Sequence, residues 1–197
     1  LTTRVQSPGM DDWKKLRRVL RYLYGTQHMR LTLGANNSRE IEWWVDASYG
    51  VHPNMRSHTG SVMSFGYGCA QGFSGKQKLN VRSSTEAELV GVDDRMSDIC
   101  WLDYFLTAQG YALKTWLNQD NKSAILLEQN GKQSSGKRTR HIDIRYFFIK
   151  DRVDKGQVSL HYCPTEEMLA DFFTKPLQGA QFKRIRAMIM YIPHEMD

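Results

Sequence analysis

Four carboxylates lie at separate points of the chain, each where a predicted helix or strand begins or ends. They are Asp46 in WWVDAS, Glu88 in SSTEAELVGV, Asp120 in TWLNQDNKSA and Asp171 in EEMLADFFTK. Acids brought together from strand ends and helix starts can form a cup for two hard divalent cations, which prefer oxygen ligands and often keep water or substrate phosphate in their shells. The pattern therefore predicts a metal-dependent enzyme that cuts phosphodiester bonds.

The predicted helix from about Thr85 to Gln109 contains two glutamates, and helical spacing distinguishes them. With Glu88 set at 0° and about 100° per residue, Leu106 also falls near 0°, whereas Glu86 falls at about 160°. A carboxylate within an apolar stripe is costly unless it is paired or binds a metal. We therefore assign Glu88 to the site and Glu86 to the helix start, where the helix dipole favours an acid.

Asp120 and Asp171 each have a simpler explanation when taken singly. Asp is a favoured N-cap residue, and Asp120 directly precedes the predicted helix NKSAILLEQ. Capping alone would account for either residue. The joint placement of all four acids favours the metal site over four unrelated helix caps.

The overall composition suits a polyanionic partner without requiring one. The chain has 27 Lys and Arg against 21 Asp and Glu, and a net charge of +6, which suits nucleic acid as well as many proteins that bind none. No apolar run approaches the length of about 18 residues that a membrane span needs, so we expect no membrane partner and an intracellular location. The three cysteines show no CxxC spacing and are predicted to be reduced thiols. The start at Leu1 instead of Met suggests a fragment of a longer polypeptide.

The predicted elements indicate two parts. Residues 1–36 form a leader that contains the basic, amphipathic helix WKKLRRVLRYLYG, and residues 37–197 form the main domain. From Ile41 onward, three short strands (IEWWVDAS, SVMSFGYG and CAQGFSGKQK) predict an antiparallel meander. After the long helix come a strand at KTWLNQ, helices at NKSAILLEQ and HIDIRYFFIKDRV, a strand at QVSLHYC and a last helix from about Glu166. This order predicts an α/β fold with a mixed sheet flanked by helices.

From Ile41 to about Leu177, the chain resembles the ribonuclease H domain of copia-type LTR retrotransposon polyproteins. The resemblance lies in the blocks WVDAS, RSHTGSV, SSTEAEL, DNKSAI, RTRHIDIRYFFIKD and ADFFTKPL. It implies a ribonuclease H-like fold with a five-stranded mixed sheet whose first three strands are antiparallel. It also implies a D-E-D-D catalytic set, namely Asp46, Glu88, Asp120 and Asp171. Integrases and transposases of the same superfamily carry their acids in the order Asp, Asp, Glu, which does not match this chain.

The activity implied by the resemblance is hydrolysis of the RNA strand of an RNA:DNA hybrid with two Mg²⁺ ions, for which Mn²⁺ should substitute. In the family, the Asp46 position bridges both ions, the Glu88 and Asp120 positions bind one ion, and the Asp171 position binds the other. The leader resembles the segment that joins the reverse transcriptase to the ribonuclease H, so the expected partners are the hybrid and the reverse transcriptase of the same polyprotein. The expected location is the cytoplasm, within virus-like particles. A catalytically inactive module that only binds nucleic acid or supports a polymerase is the alternative.

Several residues outside the acid set are candidates for substrate contact. Ordinary helix-start solvation explains Asn121 and Lys122 equally well, a solvated helix face is the alternative for the basic RTRH block, and a packed structural histidine is the alternative for both histidines. The substrate-binding candidates are Ser83, Ser84, Thr85, Asn121, Lys122, Arg138, Arg140 and His141, and the possible auxiliary residue is His161. Ser48 stands where many copia members have a second Asp, and we expect no loss of activity from this difference.

Overall fold

The computed structural model describes residues 4–130 and 140–193. The described residues fall into two compact units, one that ends at Arg30 and one that begins at Leu31. The first unit is built on helix α1, Met10–Gly25, of which no residue is buried. Its apolar residues Trp13 and Leu23 are each more than half exposed. The helix lies where the spacing predicted it, and its apolar stripe remains uncovered within this unit.

The second unit is organised around a five-stranded mixed sheet with the strand order β5-β3-β2-β6-β7. Strands β2, β3 and β5 are antiparallel neighbours, whereas β6 runs parallel to β2 and β7 runs parallel to β6. The strands of this sheet are β2 (Glu40–Ser48), β3 (His58–Ser64), β5 (Gln71–Lys76), β6 (Lys114–Gln119) and β7 (Ser159–Tyr162), and a separate pair comprises β1 (Gly34–Ala35) and β4 (Gly66–Tyr67). The predicted α/β fold, including its antiparallel meander, is confirmed.

Helices cover both faces of the sheet. They are α2 (Ser84–Ala108), α3 (Lys122–Asn130), α4 (Arg140–Asp154), α5 (Asp171–Thr174) and α6 (Gly179–Met190). Because side chains alternate along a strand, Trp43 of β2 packs in the cluster that contains Leu89 of α2 and Ile149 of α4, whereas Trp44 packs with Ile185 of α6 on the opposite face. Asp46 therefore points to the same face as Trp44. None of the helices in the described ranges is long and apolar enough to cross a membrane.

The end of the chain differs from the single helix predicted from about Glu166. A short 3₁₀ helix, Thr165–Glu167, is followed by the four-residue helix α5 and, after a break, by α6. The break follows from Pro176, which has no backbone N–H to continue a helix and disfavours helical geometry in the residue before it. Lys175 accordingly has extended backbone angles (φ −119°, ψ 144°). Asp171 thus begins a single helical turn instead of lying within a long helix.

Candidate active site

Three of the four predicted acids converge at one end of the sheet. One carboxylate oxygen from each of Asp46, Glu88 and Asp120 lies within 4.8 Å of the others. The three side chains line a cleft of about 410 Å³. The other lining residues are Ala47, Ser48, Asn121, Lys122, Ser123 and Lys175. Asp46 and Asp120, which lie 74 positions apart in the sequence, therefore share one small, polar cavity.

Strand register explains why two of these acids meet. Strands β2 and β6 are parallel, and Trp44 lies opposite Asn118. Asp46 and Asp120 each follow two positions later, so they occupy the same end of neighbouring strands and the same face of the sheet. Asp46 is almost completely buried, with 2% of its surface exposed. Burial raises the pKa of its carboxyl, and the nearby charge of Asp120 adds to this effect.

Glu88 enters the cleft from the first turns of α2. Ser83 caps this helix by accepting a hydrogen bond from the Glu86 backbone N–H (3.2 Å), and the Glu86 carboxylate accepts one from the Arg82 N–H (2.7 Å). Glu88 lies on the buried face and is 6% exposed. Glu88 thus lies in the cleft and Glu86 at the helix start, as helical spacing predicts. Burial raises the pKa of Glu88 well above its ordinary value, and repulsion from Asp46 raises it further.

Asp171 is joined to this group through Lys175. The Lys175 Nζ lies 2.6 Å from Asp171 Oδ1 and 3.8 Å from Asp46 Oδ1. Asp171 is 1% exposed, and burial raises the pKa of its carboxyl to about 6. Thr174 Oγ1 donates a hydrogen bond to Asp46 Oδ2. The turn from Asp171 to Lys175 therefore supplies one acid, one hydroxyl donor and one cation to the site.

Close approach of α5 to the sheet depends on a glycine opposite Asp46. Gly60 of β3 is the direct partner of Asp46 in the ladder. A Cβ atom built on Gly60 would lie 2.6 Å from Thr174 Cγ2 and 2.9 Å from the Ala170 carbonyl oxygen, which is far inside van der Waals contact. Gly60 is therefore required for α5 to bring Asp171 and Thr174 to the end of β2.

The sequence reasoning missed the residues that hold the acids in place. Thr174 and Lys175 lie in the block ADFFTKPL, three and four positions after Asp171. This spacing could have indicated their contact with the site, because residues three and four positions after an acid share its side of a helical turn. Thr165 was also missed, and its hydroxyl donates to Asp120 Oδ2 (3.0 Å) across 45 positions of sequence. No local pattern in the sequence predicts that contact.

The substrate-binding candidates at the starts of α2 and α3 have different roles in the structure: some cap a helix, and others border the cleft. Asn121 Oδ1 accepts hydrogen bonds from the backbone N–H groups of Ser123 (3.0 Å) and Ala124 (3.1 Å). Asn121, and not Asp120, therefore caps α3. The Lys122 ammonium lies 4.5 Å from the centre of the Tyr162 ring and also borders the cleft. Ser83, Ser84 and Thr85 lie at the start of α2, where Ser83 serves as the cap.

Of the histidine and arginine candidates, only His161 has a described side chain. The His161 Nδ1 pairs with Asn118 Oδ1 (2.9 Å) on the exposed part of β7, and His161 is absent from the residues that line the cleft. Arg138 lies outside the described residues, as do the side chains of Arg140 and His141. Substrate contact by these three residues therefore stays a prediction.

The donor set fits hard divalent cations. Three converging carboxylates offer only oxygen ligands, and two of them, Asp46 and Glu88, are buried with raised pKa values. Buried like charges repel one another, and a bound dication relieves both the repulsion and the loss of hydration. The same oxygen-only set offers neither the thiolates nor the imidazoles that softer metals prefer. The cleft is therefore suited to a hard divalent cation.

The chain is similar in sequence to transposon polyproteins. The chain is 30% identical over 187 residues to the retrovirus-related Pol polyprotein from transposon TNT 1-94 of Nicotiana tabacum, and 33% identical over 192 residues to that from transposon RE2 of Arabidopsis thaliana. These alignments cover 94% and 96% of this chain but only 14% and 13% of the polyproteins. The chain thus corresponds to a small part of each relative. No protein-family model matches it.

Solved structures agree on the fold. The ribonuclease H1 LC11, isolated from compost, superposes with a TM-score of 0.52 and 13% identity, over 68% of this chain and 91% of that one. The N-terminal ribonuclease H domain of Rv2228c from Mycobacterium tuberculosis gives a TM-score of 0.50 and 10% identity, over 75% of this chain and 96% of that one. The resemblance predicted from the sequence is thus confirmed: the chain is homologous to a segment of the Pol polyproteins of plant copia-type transposons, and it has the ribonuclease H fold.

Proposed function

We propose that this chain is a metal-dependent endoribonuclease that hydrolyses the RNA strand of RNA:DNA hybrids during reverse transcription of a retrotransposon. The convergence of Asp46, Glu88 and Asp120 at one cleft is the observation that carries the proposal. Two comparisons support it. The relatives are retrovirus-related Pol polyproteins, and a crystal structure of the similar ribonuclease H1 LC11 contains an RNA/DNA hybrid.

The acids act as ligands for two Mg²⁺ ions, which Mn²⁺ can replace. Asp46, Glu88 and Asp120 would hold one ion, and Asp46 and Asp171 would hold the other. Bound at these oxygens, the ions supply a water of lowered pKa and stabilise the charge on the leaving oxygen. The products of such a hydrolysis carry a 5′-phosphate and a 3′-hydroxyl.

The chain's own contribution is to hold the ligands in position before substrate arrives. Thr174 fixes Asp46 by a hydrogen bond, and Thr165 fixes Asp120. Each bond leaves the other carboxylate oxygen of its acceptor available for a cation. Burial of Asp46, Glu88 and Asp171 keeps bulk water away from most of the carboxylate surface, which strengthens their attraction for dications. Asp46 and Asp120 are therefore held in position before a cation binds to them.

We assign substrate binding to Lys122, to the start of α2 and to the basic block that follows α3. Lys122 borders the acids and carries a positive charge suited to a phosphate. The Ser83–Thr85 segment at the start of α2 offers hydroxyls for the sugar-phosphate backbone, and we assign the basic block with Arg138, Arg140 and His141 to the DNA strand. Recognition of RNA depends on the 2′-hydroxyl and on the shape of the hybrid. The reverse transcriptase of the same polyprotein is the proposed partner, reached through residues 1–36.

The test is a cleavage assay on an RNA:DNA hybrid labelled in the RNA strand. In Mg²⁺, the chain should shorten the RNA, and either EDTA or Asp46→Asn should abolish the cleavage. A mobility-shift measurement on the same hybrid separates binding from hydrolysis. Hybrid that is bound but uncut by the wild-type chain in both Mg²⁺ and Mn²⁺ would show that the chain is an inactive nucleic-acid-binding module.

A further inference from the structure

Lys175 makes its contacts at the place where the proposed second ion would need its ligands. Its Nζ lies 2.6 Å from Asp171 Oδ1 and 3.8 Å from Asp46 Oδ1. Asp171 Oδ1 is therefore already hydrogen-bonded to a cation that belongs to the chain. By contrast, the described ion pairs of Lys175 are with Asp46 and Asp171 and include neither Glu88 nor Asp120. The two halves of the site thus differ in what faces the carboxylates.

Local sequence explains why the lysine lies there. Lys175 is the residue after α5, and Pro176 favours an extended backbone at this position. Its backbone N–H bonds to the Asp171 carbonyl oxygen (2.9 Å), which closes the turn. The side chain is 37% exposed, whereas the side chains of Asp46 and Asp171 are 3% and 2% exposed. The ammonium therefore lies between buried acids and solvent, with an open path outward.

We propose that the Lys175 ammonium and a second divalent cation compete for the same oxygens of Asp46 and Asp171, so that binding of this ion displaces Lys175. This inference rests on the proposed function, because it assumes that the acids bind divalent cations. Two cations held against the same carboxylate oxygens repel each other strongly at such short range. Mg²⁺ also requires oxygen ligands at about 2.1 Å in a nearly ideal octahedron. An ion that binds Asp171 Oδ1 would approach the lysine nitrogen 2.6 Å from that oxygen, and repulsion between the two cations would displace the lysine.

Competition between Lys175 and the second ion does more than balance charge, because it also affects the order in which the two ions bind. Lys175 offsets the charge of two buried acids when the second ion is absent, which lowers the cost of keeping them ionised. Lys175 also weakens binding of the second ion relative to the first. The first ion can bind Asp46, Glu88 and Asp120 without displacing the lysine. The two ions should therefore bind in sequence, with the second ion bound more tightly once substrate phosphate contributes a further ligand.

The experiment follows the lysine and the metal separately. Protein labelled with ¹⁵N at lysine Nζ is stripped of metal with EDTA, dialysed, and titrated with Mg²⁺ while the ammonium resonances are recorded; Lys175→Arg identifies the Lys175 signal. Calorimetry with Mn²⁺ gives the number and affinity of bound ions for the wild-type chain, Lys175→Met and Lys122→Met. Lys122 borders the same cleft and is the control for loss of one positive charge.

The expected result is that the first ion leaves the Lys175 resonance in place and the second ion shifts or broadens it. Lys175→Met should tighten the second ion by about tenfold, against less than about threefold for Lys122→Met, because only Lys175 shares oxygens with that ion. Two bound ions with an unchanged Lys175 resonance would overturn the inference, and so would equal affinities in the two variants. Either result would leave the proposed hydrolysis standing, whereas the absence of any metal binding by the wild-type chain would contradict the proposed function itself.

Discussion

Two buried glutamates, Glu88 on α2 and Glu128 on α3, show that burial alone does not make a metal site. Glu88 is 6% exposed and Glu128 is 0% exposed, and burial raises the pKa of both carboxyls. Glu88 shares a cleft with Asp46 and Asp120. Among the described residues, neither carboxylate oxygen of Glu128 has a hydrogen-bond partner, and Glu128 is outside the converging group. Convergence with other acids, and not burial, distinguishes the candidate ligand from a strained core acid.

Replacing each glutamate by glutamine should have different effects on activity. Glu88→Gln should lower the single-turnover rate of hybrid cleavage by about 10³-fold or more, because an amide is a poor ligand for a hard dication. Glu128→Gln should keep the rate within about threefold, because the side chain lies outside the cleft lining. Equal losses in the two variants would show that burial near the site matters more than convergence.

A substitution that moves Asp171 without changing its charge is a second test of whether the acids must converge. Gly60→Ala should lower cleavage by about 10- to 100-fold, because the new Cβ would push α5 and its Asp171 away from Asp46. It should also lower the free energy of unfolding by about 1–3 kcal/mol. Rates and denaturant midpoints measure both effects.

The matched control is Gly91→Ala. A Cβ atom on Gly91 of α2 would meet Thr59 at 3.5 Å, which is ordinary contact, and alanine is favoured over glycine inside a helix by about 1 kcal/mol. Gly91→Ala should therefore preserve both activity and stability. If Gly60→Ala is equally harmless, the close approach of α5 is not needed to position Asp171.

Glu128 should make the stability of the chain depend on pH. Its pKa rises from 4.5 in the unfolded chain to about 8 in the fold because of burial. Between these values the unfolded chain releases a proton that the folded chain retains, so the free energy of unfolding falls as the pH rises. Glu128→Gln removes this dependence, and its advantage over wild type should grow by on the order of 3 kcal/mol from pH 5 to pH 8. Urea titrations at both pH values test this, and an advantage independent of pH would show that Glu128 is ionised in the fold.

The smallest effect is expected at Glu86, which lies two positions before Glu88. Its carboxylate accepts a hydrogen bond from the Arg82 N–H near the start of α2. Glu86→Gln should cost about 0.5–1 kcal/mol of stability and leave the cleavage rate nearly unchanged. A larger loss of activity for Glu86→Gln than for Glu88→Gln would reverse the assignment of the two glutamates.

The succession of strands and helices along the chain and the phase of α2 could be predicted because each depends on local pattern. Alternating residues determine which face Asp46 occupies, and a regular helix of 25 residues places Glu88 on its buried face. The contacts made by α5 could not be predicted in this way. Lys175 lies four positions after Asp171, which in a continuous helix would indicate only an ordinary surface pair, and the break before Pro176 changes its setting.

Burial of Glu128 was equally hidden from the sequence. Nothing in SAILLEQN distinguishes this glutamate from a solvated residue, because its burial results from the packing of α3 against α2 and α4. The bond from Thr165 to Asp120 is of the same kind, since it joins the 3₁₀ helix Thr165–Glu167 to the residue that follows β6. The contacts that support the acids therefore depend on long-range packing, whereas the acids themselves could be identified from local sequence pattern.

The most direct test of the central claim is strand-selective cleavage. A hybrid labelled differently on its RNA and DNA strands is incubated with the wild-type chain and Mg²⁺, beside RNA and DNA duplexes of the same sequence. The expected result is that only the RNA of the hybrid is cut, that the new ends are 5′-phosphates and 3′-hydroxyls, and that EDTA stops the reaction. Cleavage that persists in EDTA, or hybrid that binds and remains intact with Mg²⁺ and Mn²⁺, would contradict the claim that the converging acids form a metal-dependent ribonuclease H site.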